Sequence, residues 1–362
     1  MRRRSASGAV VEADKKGERF RGSLRKRAED RSWNGVRSMA TRNEQALEIQ
    51  GRRLKVSNLD KVLYPAAGFT KGQVIDFYMR VSPWLLPHLR DRPVTLKRYP
   101  DGIAGDFFYE KDAPGYTPDW VETFDVPRRA RGEPIRYILI NDLPTLVWCA
   151  NLASLEIHPF LHKAPRIEQP TYVVFDLDPG EGAAILQCAE VAFLLKDVLD
   201  HLKLESFAKV SGSKGIQVYV PLNSKATYAA TQPFARAIAQ LLERQNPAQV
   251  VAEMAKSERV NKVFIDWSQN SDFKTTVSVY SLRAKSEHPF VSMPVSWGEL
   301  KTALDTGDSG ALYWQPPAAL ERLEEAGDLF APLLTRKQRL PAEFAKSLAI
   351  SRSDQGLKRR RA

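Results

Sequence analysis

A short apolar run that ends in two acidic residues is the feature that most constrains the fold of this chain. Residues 172–175 (YVVF) are typical of a buried β-strand, and the segment FDLDPG (175–180) ends that strand in a Pro-Gly turn. Because side chains two residues apart on a strand point to the same face, Asp176 and Asp178 are predicted to lie side by side. Two neighbouring carboxylates raise each other's pKa, and a divalent cation removes that conflict.

The paired aspartates therefore indicate a metal site. Hard oxygen ligands suit magnesium or manganese, and two-metal sites catalyse in-line displacement at phosphorus. A polar turn capped by aspartate side chains is the alternative interpretation. Phosphatases of the haloacid dehalogenase type also carry D-x-D after a strand, but they need Thr or Val where this chain has Gly180. That class is disfavoured.

Composition describes a globular protein whose charge is concentrated at its ends. Residues 1–44 carry a net charge of +7 and residues 351–362 a net charge of +4, which leaves the remainder about neutral. A basic groove in the folded body must therefore come from local clustering. The tails either attract phosphates non-specifically or are simply solvated and disordered.

No apolar run of 18 residues and no apolar signal core occur in the sequence, so a protein without membrane contact is expected. The two cysteines, Cys149 and Cys188, lie in apolar surroundings and are predicted to be reduced core residues of a cytosolic protein.

The mixture of predicted strands and helices indicates an α+β protein with a mixed or antiparallel sheet core and flanking helices, and the hairpin-like spacing around SGSKG favours antiparallel pairing. A hairpin is predicted over 47–58. A helix is predicted to begin at residue 70, with Thr70 as its N-cap. Helices are predicted over 143–155, 183–202 and 228–244 and from 297 onward, and strands over 93–99, 137–140, 207–210, 216–220, 263–267 and 275–280. One catalytic domain is predicted over 45–345, between basic tails at 1–44 and 346–362.

The segment SGSKG (211–215) separates two predicted strands and has the composition of an anion-binding loop. Glycine lets the backbone approach a ligand, successive N–H groups form a nest for an anion, and Lys214 supplies charge. The spacing is not that of a Walker loop, and no helix follows directly. A plain hairpin turn is the alternative interpretation.

A lone acid, Asp266, interrupts an apolar strand in VFIDWSQN and is a candidate third carboxylate. Arg259 and Arg283 flank it in sequence and could hold a triphosphate through bidentate bonds, although ordinary surface pairing would also explain them. His158 in LEIHPF is either structural or close enough to reach a phosphate.

These segments together resemble a known family. FDLDPG, SGSKGIQVYVPL and FIDWSQN with TTVSVYSLRA resemble the three motifs of the polymerase domain of bacterial ligase D, the primase-polymerase of non-homologous end joining. LDKVLYP, TKGQVIDFY and MPVSWGEL extend the resemblance over roughly residues 55–305. It implies the fold of the archaeo-eukaryotic primase superfamily and a cytoplasmic, nucleoid-associated bacterial protein.

The resemblance also implies roles for single residues. It places the metal-binding carboxylates at Asp176, Asp178 and Asp266. It assigns nucleotide binding or ordering of the site to seven polar or basic residues: Lys97, His158, Ser211, Lys214, Gln217, Arg259 and Arg283. It assigns DNA contacts to two lysines that grip a 5′-phosphate and two aromatic residues that stack on the template: Lys61, Lys71, Phe107 and Phe108.

The expected function is a DNA-directed nucleotidyltransferase that adds nucleotides to DNA ends, gaps or primer-templates with two manganese or magnesium ions. Ribonucleotides are often favoured in the family, and the resemblance implies Ku and a DNA ligase as partners. A separate ligase is expected because no ligase K-x-D-G motif occurs in this sequence. Gln217 stands where many family members have His. Unlike histidine, glutamine cannot carry a positive charge at this position. A metal-dependent phosphohydrolase and a non-catalytic DNA-end-binding protein remain alternatives.

Overall fold

A computed structural model describes residues 38–41, 44–128 and 132–341. These residues fall into two compact units, one ending at Val56 and the other beginning at Ser57. Most of the predicted N-terminal tail and all of the predicted C-terminal tail lie outside the described residues. The predicted catalytic domain began at residue 45, so its first twelve residues belong to the first unit.

The first three strands form a small sheet in the order β1 (Ser38–Thr41), β2 (Glu44–Ile49) and β3 (Arg52–Ser57). β1 pairs antiparallel with β2. Gln50 and Gly51, both at positive φ, connect β2 to β3, as in a tight hairpin turn. The predicted hairpin is confirmed. The prediction of a disordered tail was wrong for residues 38–41, which form β1.

The second unit contains fifteen further strands within the described ranges. They are β4 (Val62–Tyr64), β5 (Phe69–Thr70), β6 (Pro93–Arg98), β7 (Phe108–Glu110), β8 (Thr123–Val126), β9 (Ile135–Leu139), β10 (Ser154–Pro159), β11 (His162–Lys163), β12 (Arg166–Pro170), β13 (Tyr172–Pro179), β14 (Phe207–Val210), β15 (Ile216–Pro221), β16 (Val250–Val251), β17 (Val263–Asp266) and β18 (Pro294–Val295).

Seven α-helices lie between or after these strands in the described ranges. They are α1 (Lys71–Leu89), α2 (Leu143–Asn151), α3 (Ile185–His201), α4 (Tyr228–Gln245), α5 (Trp297–Thr306), α6 (Pro316–Ala326) and α7 (Pro332–Thr335). Thr70 caps α1 as predicted: its hydroxyl accepts a hydrogen bond from the N–H of Gln73 in a reciprocal capping box.

A six-stranded sheet forms the centre of the second unit, in the order β16, β17, β13, β15, β14, β18. Every neighbouring pair is antiparallel except β16 and β17, which are parallel. Helices α3 and α4 both pack against β13. The predicted antiparallel hairpin around SGSKG is confirmed as the pair β14–β15, and the α+β fold class is confirmed.

A second sheet has the order β10, β6, β9, β8, and β7 also pairs with β6. The chain after β17 runs alongside β10, where the N–H of Thr276 donates to the carbonyl of Pro159 (3.1 Å) and that of Ser278 to the carbonyl of Ile157 (2.9 Å). This segment links the two sheets.

One strand and one helix boundary predicted from the sequence were wrong. Residues 275–280 do not form a strand: only Thr275 makes an isolated bridge, and Tyr280 has a φ of 63° that breaks any ladder. The helix predicted over 143–155 ends at Asn151, and its last residues belong to β10. In both cases tertiary pairing, rather than local apolar content, decides where the element ends.

Both cysteines are free and buried, as predicted. Among the described residues, the helices are too short or too polar to cross a lipid bilayer.

The face of α4 that packs on the sheet provides a test of the fold. Phe234 is 2% exposed and is one of the largest fully buried side chains described. Replacing it with alanine removes apolar contacts and leaves a cavity, so Phe234→Ala should lower the free energy of unfolding by about 3–5 kcal/mol. Urea denaturation would measure this loss. Gln245→Ala, at the exposed end of the same helix, should change stability little.

Candidate active site

The register of the central sheet aligns four polar residues in one row. Asp176 on β13 pairs with Asp266 on β17 and with Gln217 on β15, and Gln217 pairs in turn with Lys209 on β14. Directly paired residues present their side chains on the same face of a sheet. Asp178 lies on that face as well, two residues along β13. The convergence predicted for the three aspartates is therefore set by strand pairing.

Burial and nearby negative charge make Asp176 and Asp178 hard to ionise. Burial, followed by the nearby charge of Asp178, raises the pKa of Asp176 to about 8. Burial and the charge of Asp266 also raise the pKa of Asp178. A bound cation would reverse both effects because it favours the charged forms. The chemistry of this donor set fits magnesium or manganese.

The third carboxylate is held by neighbours in its own segment. Asp266 Oδ1 accepts hydrogen bonds from the N–H (2.9 Å) and the hydroxyl of Ser268, and Oδ2 lies 3.6 Å from Nζ of Lys274. As they stand, Asp176, Asp178 and Asp266 do not form a ready-made three-ligand metal site. Neither does any other group of His, Cys, Asp or Glu in the described residues. In this arrangement the ammonium of Lys274 provides positive charge next to Asp266.

The glycine-containing loop between β14 and β15 packs closely against β13. The hydroxyl of Ser211 accepts hydrogen bonds from the N–H groups of Ser213 and Gly215 (both 3.3 Å). A Cβ on Gly215 would lie 2.5 Å from the carbonyl oxygen of Leu177, so only glycine fits there. The loop is thus held directly beside the aspartates, where its lysine, Lys214, can face a bound phosphate.

A cleft of about 1040 Å³ opens over the acid row and the loop. Asp176 and Asp178 are its two acidic lining residues. It is lined by seven basic residues: Lys111, Lys214, Lys256, Arg259, Lys274, Arg283 and Lys285. Three further residues that were predicted to bind the nucleotide also line the cleft: His158, Ser211 and Gln217. Although the folded body is about neutral, local clustering makes this cleft strongly basic, which suits a polyphosphate ligand.

Gln217, the departure from the family pattern, has both ends of its amide occupied. Its Nε2 donates to the hydroxyl of Thr276 (2.9 Å), and its Oε1 accepts from the hydroxyl of Tyr219 (3.1 Å). The side chain is 2% exposed. Gln217 therefore fixes Thr276, which lines the cleft.

Lys97 does not line the cleft, unlike the other predicted nucleotide-binding residues. It is 1% exposed, and its Nζ lies 3.9 Å from the ring centre of Phe107 and 3.8 Å from Oε1 of Glu156. Direct contact with a nucleotide would require this lysine to leave its aromatic surroundings.

The predicted DNA-binding residues lie apart from the cleft lining. Phe107 and Phe108 are 48% and 45% exposed, which is unusual for phenylalanine and suits stacking on a base. Lys61 pairs with Asp101 (2.7 Å). Lys71 is 6% exposed and donates to the carbonyl of Ser57 (2.7 Å). Burial, with the charges of Lys61 and Arg98, lowers the pKa of Lys71 to about 8.

Sequence reasoning missed several residues of this site. Glu156 lies two residues before His158 on β10, so the two-residue period of a strand could have paired them. Lys209 could have been found from the hairpin register opposite Gln217. Lys256, Lys274 and Lys285 belong to irregular segments, and no local pattern in the sequence places them at the cleft.

Comparison with known proteins decides the family. The family described as LigD, primase-polymerase domain, matches residues 70–330, well over half of the chain. The chain belongs to the LigD primase-polymerase family. The resemblance inferred from the motifs is confirmed.

Curated LigD proteins of other bacteria are similar over the same region. The multifunctional non-homologous end joining protein LigD of Mycolicibacterium smegmatis is 40% identical over 283 residues, which is 78% of this chain and 36% of that protein. The bifunctional LigD of Bacillus subtilis is 34% identical over 254 residues, 70% of this chain and 40% of that protein. The chain thus spans well under half the length of either relative.

A solved structure shares the fold. The polymerase domain of Mycobacterium tuberculosis ligase D, solved in complex with DNA, superposes with a TM-score of 0.73 at 37% sequence identity. The match covers 79% of this chain and 99% of that domain. The expected primase-polymerase architecture is therefore confirmed.

The raised pKa of Asp176 predicts an unusual pH dependence of stability in metal-free buffer. The folded state keeps this proton between the ordinary value of 3.8 and about 8, whereas the unfolded state releases it. Stability should therefore be lost as the pH rises through that window. Asp176→Asn cannot ionise, so its melting temperature should exceed that of the wild type increasingly from about pH 5 to about pH 8.

Differential scanning fluorimetry with a chelator would measure this difference. Asp197→Asn, on the exposed side of α3, is the matched control and should follow the wild type. A constant offset between Asp176→Asn and the wild type at every pH would contradict the prediction.

Proposed function

We propose that this chain is a DNA-directed nucleotidyltransferase that adds nucleotides to DNA ends or gaps during non-homologous end joining. The observation that carries the proposal is the alignment of Asp176, Asp178 and Asp266 beside a phosphate loop in a strongly basic cleft. Membership of the LigD primase-polymerase family supports the choice of polymerase chemistry over other phosphoryl transfers.

The three aspartates are the proposed ligands of magnesium or manganese. Such ions, when bound, activate the primer 3′-hydroxyl and stabilise the pyrophosphate leaving group. Asp176 and Asp178 already face the cleft, and Asp266 joins them once it has released Lys274. Lys274 lines the same cleft, so its charge stays close to the phosphates after release.

The basic and polar lining residues are the proposed triphosphate site. Ser211 and Lys214 bind phosphate oxygens from the loop. Arg259, Arg283 and His158 supply charge and donors from other walls of the cleft. Gln217 acts through Thr276, whose hydroxyl it holds. Ribonucleoside or deoxyribonucleoside triphosphates are the proposed substrates.

The proposed DNA-binding surface combines phosphate and base contacts. Lys61 and Lys71 bind the 5′-phosphate of a DNA end, and the exposed rings of Phe107 and Phe108 stack on the template. The guanidinium of Arg98 lies 5.1 Å from the ring centre of Phe108 and supports that ring from one side. The M. tuberculosis neighbour was solved with DNA, which supports a DNA partner here. Ku and a separate ligase are further proposed partners.

Two other functions make different demands on the same residues. A metal-dependent phosphohydrolase would use the aspartates but would release orthophosphate without a primer. A non-catalytic end-binding protein would use the lysines and the Phe107–Phe108 pair but would tolerate loss of the aspartates. Labelled primer-template with nucleotide and manganese separates these functions, because the proposed function alone gives a primer extended by added nucleotides.

Asp178→Asn should lower primer extension by roughly 10²-fold or more, because a metal ligand is lost at the step that develops charge. Its affinity for primer-template DNA should stay near that of the wild type. Single-turnover extension and fluorescence anisotropy measure the two effects. Asp305→Asn removes an exposed aspartate that pairs with Lys301 on α5, and it should affect neither. Extension by Asp178→Asn at the wild-type rate would rule out the proposed catalysis.

Replacing Lys61 and Lys71 with alanine should weaken binding to gapped DNA that bears a 5′-phosphate, with little change for DNA that lacks it. The pKa of Lys71 near 8 adds a pH dependence of known sign. The wild-type preference for the 5′-phosphate should fall as the pH rises from about 7.5 to about 9.5, because Lys71 loses its proton.

Lys71→Arg keeps its charge over this range and should flatten that pH dependence. Fluorescence anisotropy with matched DNAs measures the preference. Equal losses on phosphorylated and unphosphorylated DNA would favour non-specific attraction instead.

A further inference from the structure

Glu156 is a buried carboxylate that the proposed chemistry does not use. It lies on β10, is 1% exposed, and is not a lining residue of the cleft. A buried charge is costly unless it is paired and hydrogen-bonded. The partners of Glu156 therefore show which groups it organises.

Two of these partners are residues of the proposed triphosphate site. Glu156 Oε2 lies 2.8 Å from Nε2 of His158 and 3.5 Å from a terminal nitrogen of Arg283. Oε1 accepts a hydrogen bond from the N–H of Ala284 (3.1 Å), which fixes the backbone next to Arg283. Although burial raises the pKa of Glu156, the hydrogen bond from His158 and the charges of Arg283 and Lys97 hold it well below its usual range.

The remaining partner, Lys97, connects Glu156 to a group of aromatic side chains. Lys97 pairs with Glu156 across β6 and β10, and with Tyr109 across β6 and β7. Its Nζ lies 3.8 Å from Oε1 of Glu156. The same ammonium lies 3.9 Å from the ring centre of Phe107, 5.0 Å from that of Tyr99 and 5.6 Å from that of Tyr109. Such contacts fix a ring relative to a cation.

We propose that Glu156 is a positioning residue that holds His158 and Arg283 for the triphosphate and, through Lys97, holds the Phe107 ring for the template. The proposal rests on the proposed function of the cleft. Because one carboxylate contacts His158, Arg283 and Lys97, loss of its charge should disturb nucleotide binding and template binding together. A buried ion pair contributes little net stability compared with apolar packing, so stability alone does not account for this arrangement.

The ionisation of His158 gives a test that needs no ligand. Burial lowers the pKa of His158, the hydrogen bond and the charge of Glu156 oppose this, and the charges of Arg283 and Lys97 lower the pKa further. Glu156→Gln should therefore lower the pKa of His158, and Lys97→Met should raise it. NMR titration of the five histidines, with His158 assigned from a His158→Gln spectrum, measures both shifts.

Glu299→Gln is the matched control. Glu299 pairs with Arg322 and caps α5 away from the cleft, so its loss should leave the pKa of His158 unchanged. General disruption of the fold would not shift this pKa in opposite directions in Glu156→Gln and Lys97→Met. An unchanged pKa in both variants would overturn the proposal. If one variant fails to fold, the other still decides it.

The second measurement uses ligands. In Glu156→Gln, the KM for nucleoside triphosphate and the Kd for DNA with a single-stranded template overhang should each rise roughly tenfold. Binding of blunt duplex with a 5′-phosphate should not change, because neither Lys61 nor Lys71 contacts Glu156. A rise in the nucleotide KM without loss of overhang binding would overturn the link through Lys97.

The proposed function and this inference fail in different ways. If the wild type neither binds nucleotide nor extends a primer, the proposed function is wrong, while the histidine titration still decides whether Glu156 positions His158.

Discussion

The antiparallel pairing of β13 between β15 and β17 is the constraint on which the site depends. It places Asp176 directly between Gln217 and Asp266, and the pleat then puts Asp178 on the same face. Three acids are thereby forced together at the end of a buried sheet, at an electrostatic cost that the raised pKa values of Asp176 and Asp178 reflect. A bound cation would offset this cost because it favours the ionised carboxylates.

Two buried acids of this protein are in opposite electrostatic states. Glu156 is surrounded by His158, Arg283, Lys97 and a backbone N–H, and its pKa is depressed. Asp176 is buried beside acidic neighbours, and burial followed by the charge of Asp178 raises its pKa to about 8. Neighbouring groups already balance the negative charge of Glu156, whereas they do not balance that of Asp176. The first suits organisation of the site, and the second suits binding of a metal.

Positive charge is concentrated at the cleft rather than spread over the folded part of the chain. The chain between the two tails is about neutral, yet the lining of the cleft is dominated by Lys and Arg. These cations come from loops and strand ends that are distant in sequence, such as Lys111, Lys214 and Lys285. Concentrating them around a carboxylate pair gives a cleft whose positive charge suits a polyphosphate ligand.

The sequence by itself determined the α+β class, the hairpin around SGSKG, the cap at Thr70 and the acidic strand end, because these depend on local periodicity and turn chemistry. Its motifs also led to the correct family. It could not place Arg283 beside Glu156, bury Lys97 among aromatic rings, or bring Lys256, Lys274 and Lys285 to the cleft. Those arrangements join residues from separate strands and loops, so strand pairing and loop packing decide them. The same packing left residues 275–280 without a strand, since they bond to β10 at isolated points rather than in a ladder.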